Sequence, residues 1–111
     1  MSHILIIDDS PPIAQLMREM MSLIGHAGET ANSGREGLER MRHQMPDLVL
    51  LDLMMPEMNG WEVYDEIRRF SRVPVIFITA SDTPANRNRA AALGRATHQQ
   101  RGHVDFVAPT Y

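Results

Sequence analysis

A chain of 111 residues, 43% hydrophobic and 23% charged with a net charge of −3, has the size of one domain with a real core. The mild acidity argues against direct nucleic-acid binding, which needs clustered cations, and the absence of cysteine excludes disulfides and thiolate metal sites. All 11 cations are arginine, so no lysine is available for any role.

No basic region followed by a long apolar stretch precedes the first element. No apolar run approaches the ~20 residues of a membrane span, so the expectation is a cytoplasmic protein without membrane contact. His3–Ile7 is apolar and β-branched, reads as a strand, and ends in Asp8-Asp9. Ser10-Pro11-Pro12 predicts a helix start, with a hydroxyl cap and prolines where the missing N–H costs nothing. Ile13, Leu16, Met17, Met20, Leu23 and Ile24 follow at helical spacing, and Gly25 ends the helix. Core packing is the expectation for the helical methionines.

Ala27–Ala31 is a short, weak strand. Ser33 and Glu36 have capping-box spacing ahead of Leu38, Met41 and Met45, and Pro46 stops that second helix. The run 47–52 is a buried strand ending in Asp52. A loop through Asn59 leads to a third helix with Val63, Tyr64 and Ile67 inward and Trp61 and Phe70 near its ends. The run 73–78 is another buried strand, followed by Thr79-Ala80-Ser81. Thr83-Pro84 predicts a fourth helix over 85–93, closed by Gly94. A polar stretch, 95–103, reads as a loop, and Val104–Val107 as a short last strand.

Apolar strands alternating with amphipathic helices specify a parallel α/β sheet with its ligand site at the strands' C-terminal edge. That edge receives Asp8, Asp9, Asp52 and the Thr79 hydroxyl. Two unit charges 4 Å apart repel by about 4 kcal/mol at an effective dielectric of 20, so three clustered carboxylates need a raised pKa or a cation. Mg²⁺ meets that need with oxygen ligands and shares its sphere with phosphoryl groups. The expected ligands are Asp9, Asp52 and the Met54 backbone carbonyl, with Asp8 acting mainly through water. Asp52 is the candidate phospho-acceptor and Thr79 the candidate hydroxyl donor to the phosphoryl group. The blander alternative is that Asp8 and Asp9 merely cap the helix near Ser10.

Three segments carry a resemblance: Ile4-Leu5-Ile6-Ile7-Asp8-Asp9-Ser10, the stretch from Asp47 through Asp52 to Gly60, and Pro74-Val75-Ile76-Phe77-Ile78-Thr79-Ala80. Together they resemble the receiver domain of two-component response regulators, from residue 3 to Gly94. The resemblance implies a flavodoxin-like, doubly wound (βα)₅ sheet and a phosphoryl group taken from a sensor histidine kinase or phosphotransfer protein. It also implies an output to a downstream protein and no enzymatic activity beyond self-phosphorylation and dephosphorylation at Asp52. Asp52 would be the acceptor, Asp8 and Asp9 the acidic pocket, Thr79 the switch hydroxyl and Phe106 the switch aromatic.

The resemblance breaks after Gly94, so residues 1–94 read as typical and 95–111 as diverged. Phe106 lies twelve residues beyond Gly94, where a receiver reaches its aromatic sooner. The lysine and proline that should follow the last strand are garbled around Pro109, and the fifth helix is missing. Arg95 or Arg101 is the candidate substitute for the lysine. A fragment or shifted reading frame, an element exchanged in a homodimer, and a diverged single-domain receiver all fit. A non-phosphorylated pseudo-receiver, a binding module with a crippled switch, is the alternative function. An Asp-nucleophile phosphatase is disfavoured, because position 54 is methionine and not an acid.

Overall fold

The computed structural model describes residues 2–78 and the backbone of 104–107. Its elements are β1 (His3–Ile7), α1 (Pro11–Leu23), β2 (Ala27–Ala31), α2 (Gly34–His43), β3 (Leu48–Asp52), α3 (Gly60–Phe70), β4 (Val75–Ile78) and β5 (Val104–Val107). The five strands form one parallel sheet in the order β2-β1-β3-β4-β5. This is the flavodoxin-like α/β arrangement expected from the sequence. The expected fourth helix, the diverged loop with Arg95 and Arg101, and the segment after β5 on which the expected loss of a fifth helix bears lie outside the described residues.

Alternation along the strands sorts the apolar side chains onto two faces. Leu5, Ile7, Val49, Leu51, Val75 and Phe77 join α2 and α3 in the larger core. Trp61 and Tyr64 of α3 pack on Phe77 with ring centroids 4.5 and 5.4 Å away. Each fully buried side chain of this kind contributes about 1.5–3 kcal/mol. The opposite face carries Ile4, Ile6 and Leu50 against Ala14 of α1, with Met17, Met21, Leu48, Ile76 and Ile78 half-buried around them.

The helix ends differ in detail from the sequence signals. Pro11 and Pro12 occupy the first turn of α1 as expected, but Ser10 makes no side-chain cap. Its N–H instead donates to Asp8 Oδ1 at 2.9 Å, so the acid takes over the turn. Ser33 Oγ accepts from Glu36 N–H at 3.1 Å, while Glu36 reaches back to Asn32 N–H at 2.9 Å, one residue beyond the standard box. A full capping box stands at α3 between Asn59 and Glu62, a pairing that sequence reasoning did not single out.

The largest correction concerns α1. Ile13, Leu16, Met20, Leu23 and Ile24 lie 45–86% exposed, and Ala14 is the buried member of the helix. Met20 and Met45 therefore depart from the core role expected of helical methionines, which Met41 fulfils. Helical spacing identifies an apolar arc, but the neighbour decides which part of it is covered.

Candidate functional site

β1 and β3 are adjacent and in register, Ile7 opposite Leu51, so both strands end at the same level. Asp52 closes β3 opposite Ile78, and Asp8 follows β1 with its N–H bound to Ala31 O at 3.0 Å. Parallel strands thus deliver Asp8, Asp9 and Asp52 to one edge. Each offers a carboxylate oxygen, and these oxygens all lie within 4.8 Å of one another. At that separation an ionised pair repels by about 3–4 kcal/mol at a dielectric of 20.

The electrostatics follow from burial and crowding. Asp52 is half-buried, and its pKa is pushed up to about 6. Desolvation is the main cause. The Met54 N–H opposes it, and the neighbouring Asp8 and Asp9 add to the rise. Asp8 is 7% exposed and also raised, by desolvation first; the Ser10 N–H pulls it down and Asp9 pushes it up. An all-oxygen acid set that resists full ionisation is matched to a hard divalent cation, so the residues present fit Mg²⁺.

The loop after Asp52 is held by short local contacts. Met54 N–H donates to Asp52 Oδ1 at 3.1 Å, and Gly60 N–H to Leu53 O at 3.1 Å. Gly60 is the first residue of α3, and a Cβ there would sit 2.6 Å from Asp52 O and 2.8 Å from Leu53 Cα. Only glycine lets the helix start this close to the acid. That steric role had no sequence signal beyond the glycine itself.

Beside the acids lies a depression of about 490 Å³, lined by Asp9, Asn32, Ser33, Arg35, Met55 and Glu57 among others. Arg35, exposed at the start of α2, is the one cation among the described residues that line it. Sequence reasoning missed it, because nothing local ties residue 35 to residue 9. Of the other expected site residues, Thr79 lies outside the described residues. Phe106 sits on β5 at the register position of Phe77, and its side chain lies outside the described set.

Comparison with known proteins agrees with this geometry. The sequence model of the response regulator receiver domain matches residues 4–98. A probable transcriptional regulator, ycf27 of Guillardia theta, is 41% identical over 91 residues, covering 82% of this chain and 36% of that protein. The transcriptional regulatory protein CpxR homolog of Haemophilus influenzae is 40% identical over 94 residues, covering 85% of this chain and 41% of its own length. The chain therefore spans about two fifths of these curated relatives. Among solved structures, the N-terminal domain of a response regulator receiver protein from Methanoculleus marisnigri superposes with a TM-score of 0.81 at 33% identity, covering 99% of this chain and 85% of that one. The response regulator TrrA of Thermotoga maritima, solved in complex with Mg²⁺-BeF, superposes with a TM-score of 0.80 at 29% identity, covering 100% and 89%.

Proposed function

The chain belongs to the response regulator receiver domain family, and on that premise we propose that Asp52 accepts a phosphoryl group with the help of Mg²⁺. The observation that carries this reading is the meeting of three carboxylates at the strand ends, where burial pushes the pKa of Asp52 up to about 6. Asp9, Asp52 and the Met54 backbone carbonyl would hold the ion, and Asp8 would act through water. When bound, the cation neutralises the charge of the acids and of the incoming phosphoryl group.

The chain's own residues do the rest. The Met54 N–H orients the Asp52 carboxylate. Gly60 brings the start of α3 up to the loop and holds it there. One Asp52 oxygen attacks phosphorus, the bond from phosphorus to the donor's imidazole nitrogen breaks, and that nitrogen takes a proton. An aspartyl phosphate results. Arg35 at the rim of the depression is a described cation on the approach to Asp9, complementary to a phosphoryl dianion. Thr79 would donate its hydroxyl to the transferred group and Phe106 would report the change to a protein partner.

The donor class is a sensor histidine kinase or phosphotransfer protein, and the setting is the cytoplasm. The domain turns over no separate substrate. Among the described residues no helix is long and apolar enough to cross a membrane. The named relatives are transcriptional regulators, and any nucleic-acid contact would belong to the part of such a protein outside this match.

One observation favours a second reading. The chain contains no lysine, whereas the family resemblance implies one that contacts the acyl phosphate. Losing such a charged hydrogen bond is worth about 1.5–3 kcal/mol. A pseudo-receiver that binds partners without phosphorylation would tolerate that loss. Incubation with Mg²⁺ and a small acyl phosphate, followed by intact mass spectrometry, separates the two. The receiver reading expects a mass gain of one phosphoryl group that disappears in Asp52→Asn. No gain in the wild-type protein leaves the binding module.

A further inference from the structure

We propose that Glu36 is a positioning residue for the acid pocket: through one peptide unit its carboxylate holds the backbone of Asp8 and Asp9 in place for the cation. The inference rests on the reading of that pocket as a Mg²⁺ site. The peptide joining Ala31 to Asn32 lies between the two. Its carbonyl, Ala31 O, accepts from Asp8 N–H at 3.0 Å, and its N–H, on Asn32, donates to Glu36 Oε2 at 2.9 Å. In a trans peptide these two groups point opposite ways, so the unit acts as a strut from Glu36 to Asp8. Hydrogen bonds in series polarise one another, and each strengthens its neighbour.

Helix capping alone does not account for this contact. In a capping box the acid at the third helical position returns to the N–H of the capping residue, here Ser33. Glu36 passes Ser33, whose Oγ accepts from Glu36 N–H at 3.1 Å, and reaches Asn32 instead. The Asn32 N–H is the largest cause of the lowered Glu36 pKa. The other carboxylate oxygen is occupied as well: Oε1 accepts from Arg40 Nε at 3.2 Å and Nη2 at 3.0 Å. Arg40 Nη1 in turn reaches Glu29 Oε2 at 2.6 Å, and Glu29 Oε1 lies 3.0 Å from His3 Nε2. The direction of the Glu36 carboxylate is thereby anchored on the first residue of β1.

The pocket needs such a brace because its own charges push it apart. The carboxylate oxygens of Asp8, Asp9 and Asp52 lie within 4.8 Å of one another. The register of β1 with both neighbouring strands ends at Ile7, so Asp8 stands just past the ladder and its N–H is held by Ala31 O. A cation gains most from acids whose oxygens are already gathered, since gathering like charges costs energy before the ion arrives. Asn32, Ser33 and Arg35 line the depression beside Asp9, so the contacts that fix this loop also set where Arg35 stands.

Glu36→Gln, set beside Glu39→Gln, is the test. Glutamine keeps the size but has a single acceptor oxygen, so it holds Asn32 N–H or Arg40 and not both. Glu39→Gln removes the same charge from an exposed position of the same helix, further from the loop. Titration calorimetry should give a Mg²⁺ affinity about three- to tenfold weaker in Glu36→Gln and within about twofold of wild type in Glu39→Gln. The difference should persist in about 1 M salt, where charges are screened beyond about 3 Å. Amide hydrogen exchange adds a readout without metal: Asp8 and Asn32 should exchange at least about fivefold faster in Glu36→Gln, with the β3 amides unchanged. None of these measurements needs Asp52 to be phosphorylated. A wild-type protein that binds no Mg²⁺ refutes the metal site and this proposal with it. Wild-type binding matched by Glu36→Gln overturns the proposal alone. So does an equal loss in Glu39→Gln, or Asp8 and Asn32 amides that keep their wild-type protection.

Discussion

Replacing Asp52 by asparagine should stabilise the metal-free protein, because the site is built from charges that oppose folding. The asparagine Oδ1 can still accept from Met54 N–H, so the local turn is kept while the charge goes. A rise in pKa from 3.8 to about 6 corresponds to ~3 kcal/mol for a fully buried group. Asp52 is only half-buried, and solvent screening brings the gain to about 1–2 kcal/mol at pH 7.5. For a domain of this size that is a Tm increase of about 4–8 °C. The native state holds the Asp52 proton more tightly than the unfolded chain. The group's destabilising effect is therefore full above pH ~6 and fades as pH falls toward 3.8. About half of the advantage of Asp52→Asn should remain at pH 5 and about a fifth at pH 4. Thermal melts of both proteins in chelator across this range are the assay. Saturating Mg²⁺ should raise the wild-type Tm and shrink the difference, since the ion binds the native acids and not the unfolded chain. An Asp52→Asn protein no more stable than wild type in chelator at pH 7.5, or a gain that does not change with pH, would refute the reasoning.

Mg²⁺ affinity, measured by titration calorimetry, should hold above pH 6.5 and drop by up to about tenfold per unit below pH 6, as protons compete for Asp52. Gly60→Ala should destabilise by about 1–3 kcal/mol in urea unfolding and slow phosphorylation, because the added methyl meets Asp52 O and Leu53 Cα. Arg35→Ala should slow phosphorylation by a small acyl phosphate severalfold, read by intact mass against time, while leaving the stability within about 0.5 kcal/mol of wild type. Arg40 bridges Glu29 at 2.6 Å and Glu36 at 3.0 Å, with its side chain 40% exposed. Arg40→Ala should therefore cost only about 0.5–1 kcal/mol, and that cost should shrink in high salt.

The two strands that carry the acids were readable because their residues are apolar on both faces, a pattern few other structures require. Asp8 and Asp52 each follow such a run at once, so a parallel sheet with aligned ends must bring them together. The observed oxygens within 4.8 Å bear that out. Asn59 was equally readable as the end of the loop before α3, to which the structure adds a capping box with Glu62. Arg35 was not, because its relation to Asp9 passes through the packing of two loops distant in sequence.

By itself, then, the order of residues determined the strands, the helix starts and the edge at which the carboxylates collect, since each depends on local geometry and alternation. Only the folded arrangement decided that Asp8 would hold the turn at Ser10, that Asp52 would titrate near 6, and that half of the α1 apolar arc would be left uncovered. Those properties are set by what lies across space from a side chain. Hydration and charge depend on neighbours that the linear sequence does not specify.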